Sequence, residues 1–203
     1  MPETISPGVV LASKYVFSKD KYSQYINYID RSAAVRSQAY SLYSVFADYM
    51  DNPSKRSPGF QSEKASALFT ATKDQLSTDE VLELKKQFST AQKNDSPMWQ
   101  QVISFRNDFL EQYGLYDRKT GLLDEDRLRF ATRAAMQGML KDEKMDGAAV
   151  WSAAFHYNTD NIHVHIAIVE PHPTRTRKEF SVCNKDGVQK KQVQFKGNMN
   201  KKT

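Results

Sequence analysis

Every histidine in the chain, His156, His163, His165 and His172, falls within a window of 17 residues, and the 155 residues before it contain none. The first three sit in two runs with strand character, Ala148 to Tyr157 and Ile162 to Glu170. The linker between these runs, Asn158-Thr-Asp-Asn161, has hairpin turn chemistry. In a strand, residues two apart share a face, so His163 and His165 point one way while Val164, Ile166 and Ile168 point the other. An antiparallel hairpin closed by those turn residues sets His156 opposite His163. Three imidazoles then converge above one face of a sheet. Such a set can ligate a divalent ion and leave positions open for water or a substrate oxygen. Sheet-surface histidines without a metal are the plainer reading, but three on one face weigh against it.

Other elements read as follows. Gly8 to Phe17 is β-branched and aromatic and predicts a strand. Ser18 can cap a helix in which Tyr22, Tyr25, Ile26 and Ile29 form one apolar stripe, with Tyr28 off it. Tyr40 to Met50 predicts a further helix, ended by the turn-rich stretch from Asp51 to Gly59. Ser77-Thr-Asp-Glu80 is a capping box ahead of Val81, Leu82, Leu84 and Phe88, which predicts a helix over 78–92. Gln100 to Phe105 reads as a strand, and a polar segment containing Tyr113, Gly114 and Gly121 follows. Asp124 opens a long helix with Leu128, Ala131, Ala135 and Met139 as its buried stripe. Phe180 to Phe195, with Asp186-Gly187 in the middle, predicts a last hairpin. The expected architecture is α+β: a mainly antiparallel sheet of about five strands carrying the histidines, with helices packed on its other face.

The chain's 203 residues suit one domain or two small ones and exclude a large multidomain machine. Charge is unevenly placed. From His172 to Thr203 nine basic residues face only Glu179 and Asp186, whereas the remainder holds 20 basic against 22 acidic. That asymmetry suggests contact with a polyanion, a solvated tail being the alternative at even weight. The candidate contacts are Arg175, Arg177, Lys178, Lys190 and Lys191. One cysteine, Cys183, permits no internal disulfide and no thiolate cluster, which fits a reducing cytoplasmic setting. The longest apolar stretch, Gly147 to Phe155, is about half of a membrane span.

The string from His156 through His163 and His165 to Pro171 resembles the three-histidine motif of conjugative relaxases of the Mob type (MobP/MobL-like), within the HUH endonuclease superfamily. The family pattern H-x-D-T-D-N-x-H-x-H-x-A is met at His156, Thr159, Asp160, Asn161, His163, His165 and Ala167. It departs at Asn158, where an acid is usual, and at Glu170, where Asn is common. The resemblance implies a bacterial enzyme that nicks and rejoins one DNA strand at an origin of transfer. His156, His163 and His165 would hold the ion, Mn2+ or Mg2+ with Zn2+ as a further option, and Asp160 would orient a ring.

It also implies a nucleophilic tyrosine near the N-terminus, leaving a covalent 5′-phosphotyrosine. Tyr28-Ile29 and Tyr25-Ile26 both match, and the apolar stripe that takes Tyr25 favours Tyr28. The implied partners are single-stranded DNA, a conjugative coupling protein and relaxosome accessory proteins. Residues 1–203 would form one catalytic domain with a basic hairpin at 172–203, as the N-terminal part of a longer protein. A rolling-circle replication initiator, a metal phosphoesterase that activates water, and a non-catalytic binding module for single-stranded DNA remain the competing readings.

Overall fold

The computed structural model describes residues 7–16, 47, 50–51, 66–157, 161–174, 177–183 and 189–195, the last two spans by backbone alone. Its centre is a four-stranded antiparallel sheet in the order β1-β2-β6-β5, formed by β1 (Val9–Val16), β2 (Met98–Phe105), β6 (Ile162–Val169) and β5 (Val150–His156). Among the described residues it is accompanied by helices α1 (Thr78–Lys93), α2 (Asn107–Gln112) and α3 (Glu125–Asp142). Two short hairpins complete the described chain, β3 (Tyr116–Asp117) with β4 (Leu122–Leu123) and β7 (Arg177–Cys183) with β8 (Gln189–Phe195). The α+β architecture with an antiparallel sheet is the one expected, with four strands in the main sheet. The 18–31 helix falls outside the described residues, as do most of 40–50 and of the turn segment after it.

Both faces of the sheet are covered, which departs from helices on one face alone. On one side Val164, Ile166 and Ile168 are fully buried against Leu128, Met136, Met139 and Leu140 of α3. On the histidine side, Leu84, Phe88 and Ala91 of α1 pack on Met98, Ala154, Ala167 and Val169. Helix α1 therefore occupies the end of that face away from His156 and His163. Its start follows the capping box: Ser77 Oγ accepts from the Glu80 amide, and Glu80 Oε2 accepts from the Ser77 amide. Loss of such a cap costs about 1 kcal/mol. Ser77→Ala is therefore expected to lower the melting temperature by roughly 2–4 °C, read by circular dichroism.

The buried stripe of α3 differs from the expected one. Leu128 and Met139 are buried, but Ala131 and Ala135 are exposed, and Thr132, Met136 and Leu140 take their place. The first step of the stripe is four residues, to Thr132, rather than three, to Ala131, and it admits the polar Thr132 because its hydroxyl donates to the Leu128 carbonyl at 2.8 Å. In the polar segment after β2, where no element is expected from sequence, α2 and the β3–β4 hairpin form. Gly121, at φ 72°, supplies the left-handed turn residue there. Along the outer edge of β5, Phe69 exchanges both backbone hydrogen bonds with Ala153, at 2.8 and 2.9 Å. Arg133 holds the same strap, donating to the Thr70 carbonyl and to Asp74, whose pKa that bond lowers.

Candidate metal centre

The β5–β6 register pairs His156 with His163 and Ala154 with His165. Period-two alternation then puts all three rings on one face, and the small Ala154 leaves room beside His165. The ring centroids of His156 and His165 lie 4.3 Å apart, those of His163 and His165 4.9 Å, and those of His156 and His163 5.6 Å. One ring nitrogen from each residue falls within 4.8 Å of the others. Nitrogens bound to one ion at about 2.0–2.1 Å stand roughly 3.3 Å apart in tetrahedral geometry, so a modest inward rotation of the rings closes the set. His163 and His165 are half-buried and can make that rotation, whereas His156 is only 1% exposed and anchors the trio.

Two backbone carbonyls decide tautomers. The Nε2–H of His156 donates to the Met50 carbonyl at 3.2 Å, and the Nδ1–H of His163 donates to the Asn161 carbonyl at 3.0 Å. A carbonyl can only accept, so in each of these two rings the nitrogen facing the carbonyl carries the proton. Metal-ligating imidazoles characteristically have such a partner on the opposite nitrogen. The donor set therefore fits a divalent ion: three convergent ring nitrogens, with two of the rings oriented by backbone carbonyls. Nearby, Asn107 Oδ1 accepts from the Ile162 amide at 3.1 Å and ties the start of α2 to the histidine strand.

Of the residues singled out by sequence, His156, His163 and His165 are brought together. His172 is exposed beyond Pro171 and is not part of the trio. Tyr25, Tyr28, Asp160 and Arg175 lie outside the described residues. In the β7–β8 hairpin, Arg177 stands opposite Phe195, Lys178 opposite Gln194, Lys190 opposite Val182 and Lys191 opposite Ser181. Sequence reasoning missed the Met50 carbonyl and Asn107. The carbonyl has no side-chain signature and comes from 106 positions away, and a lone Asn after a strand reads as an ordinary loop residue.

No helix among the described residues is long and apolar enough to cross a membrane. No curated protein and no solved structure matches the chain. A family model, that of the MobL relaxases, matches residues 6–203. The match takes in β1, the histidine hairpin and β7–β8 together, so the chain belongs to the MobL relaxases, a family of DNA relaxases.

Proposed function

We propose that this relaxase nicks and rejoins one DNA strand at the origin of transfer of a plasmid or integrative element, through a metal-dependent attack by tyrosine. The observation that carries the reading is the convergence of three imidazoles on one hairpin. His156, His163 and His165 would hold the ion, with Asp160 as an orienting acceptor. When bound, that ion neutralises charge on a non-bridging oxygen of the scissile phosphate. The ion would be Mn2+ or Mg2+, with Zn2+ as a further option that imidazole donors also suit.

Tyr28 is the preferred nucleophile and Tyr25 the alternative. The phenol oxygen attacks phosphorus in line, the bond to the 3′ oxygen breaks, and the phenolic proton is released as the 3′ oxygen gains one. The protein is left on the 5′ phosphate. Because a phenolate is also a competent leaving group, the free 3′ hydroxyl can reverse the step and reseal the strand. In-line access to the backbone requires single-stranded or extruded DNA. The whole chain would act as one catalytic unit, its basic hairpin gripping phosphates beside the site.

The competing water-activating phosphoesterase needs the histidines but no tyrosine. Denaturing gels of an end-labelled oligonucleotide from the element's own origin separate the two, since only tyrosine attack leaves a protein–DNA adduct. The hairpin's part is tested by salt. Each single-strand phosphate contact contributes about 0.7 to the slope of log affinity against log salt. Replacing both Lys190 and Lys191 by alanine is expected to reduce that slope by roughly 1.4 in fluorescence anisotropy. An unchanged slope would remove these residues from the DNA contact.

A further inference from the structure

Register places the neighbours of the histidines without ambiguity. On the same face, Ser104 of β2 stands opposite His163 and Val102 opposite His165. One strand further out, Val10 of β1 stands opposite Ser104, Ala12 opposite Val102, and Lys14 opposite Gln100. Helix α1 covers the far end of this face, at Met98 and Val169, but not this corner. Ser104 and Val102 are half-buried, Ala12 and Lys14 are exposed, and Val10 keeps 49% of its surface. The result is a shelf of small, mostly apolar side chains running sideways from the imidazoles, with Lys14 on its exposed outer strand.

A β-branched or smaller side chain stands lower than an imidazole, so the shelf is recessed beside the ring nitrogens. A phosphate placed at the histidines can set the nucleotide attached to it in that recess. Two strand spacings span about 10 Å, enough for the base and sugar of an adjoining nucleotide. Base faces are apolar and find no charge to desolvate on Val10, Ala12 and Val102. Duplex DNA hides those faces in its stack and cannot use the surface. Continuity with the histidine centre identifies the occupant as the DNA strand itself rather than a protein.

We infer that the Val10–Ala12–Val102–Ser104 shelf seats the nucleotide next to the scissile phosphate, with Lys14 on its backbone, and that this seat selects single strands. The inference rests on the DNA reading of the histidine site. Strand β1 supplies its own control, because Leu11 is as exposed as Val10, at 55%, but alternation puts it on the opposite face, paired with Ile103. Binding of a fluorescein-labelled oligo(dT) is measured by anisotropy in EDTA, so that no metal is needed for the readout. Val10→Asp is expected to weaken binding about tenfold, in the range of losses on removing one base contact. Lys14→Ala is expected to weaken it modestly and to reduce the salt slope by about 0.7.

Leu11→Asp is expected to change neither. The contrast between Val10→Asp and Leu11→Asp excludes general damage to the fold as the cause, and equal melting temperatures check it. Equal effects from Val10→Asp and Leu11→Asp, or none from Val10→Asp and Lys14→Ala, overturn the shelf. If the parent also nicks with manganese, the histidine site stands and the shelf alone is lost. A parent that neither nicks nor binds oligo(dT) defeats both.

Discussion

His165→Ala is expected to reduce strand cleavage by about a thousandfold or more while leaving the fold intact. A bound divalent ion supplies several kcal/mol of charge stabilisation in the transition state, and each 1.36 kcal/mol is tenfold in rate. Two imidazoles in place of three forfeit that affinity. His165 is the clean position for the test because it is half-buried and faces the small Ala154 and Val102 on either side. His156→Ala confounds two losses. Its ring is buried and donates to the Met50 carbonyl, and leaving a buried acceptor unpaired costs about 1–3 kcal/mol of stability. The measurement pairs Mn2+ titration by calorimetry with nicking of the origin oligonucleotide. Full cleavage by His165→Ala, with unchanged metal binding, would sink the imidazole centre.

Tyr28→Phe is expected to abolish the covalent adduct entirely, with Tyr25→Phe retaining it. The change removes one oxygen and keeps the ring, so it tests the phenol oxygen alone. Residual cleavage at the level of the variant without metal is the predicted floor. If adduct survives in Tyr28→Phe and vanishes in Tyr25→Phe, the assignment moves three residues upstream and the mechanism stands. If both single variants cut as well as the parent, and the parent forms no adduct, water is the nucleophile and the phosphoesterase reading replaces the transesterase.

The local elements were legible because their signals are local. Alternation in Ile162–Val169 and the turn residues before it fixed which histidines share a face. The capping box fixed where α1 begins to within the residue. Helix α3 was placed correctly by Asp124, whose side chain accepts from the Arg127 amide, but its buried side was misread. A stripe through Ala131 and Ala135 is apolar on paper. Burial instead follows the larger Met136 and Leu140, because filling the space above Ile166 and Ile168 matters more than hydropathy at each position. The short α2 and β3–β4 pieces carried no periodicity long enough to read.

Sequence by itself determined the hairpin and its register, since side-chain period and turn chemistry act between residues that are neighbours along the chain. Only tertiary structure decided that β2 and β1 lie beside the histidine strand, that α1 shares the histidine face, and that a carbonyl 106 residues away sets the His156 tautomer. Those outcomes depend on how separate elements bury one another's surfaces. No spacing within a single segment encodes them.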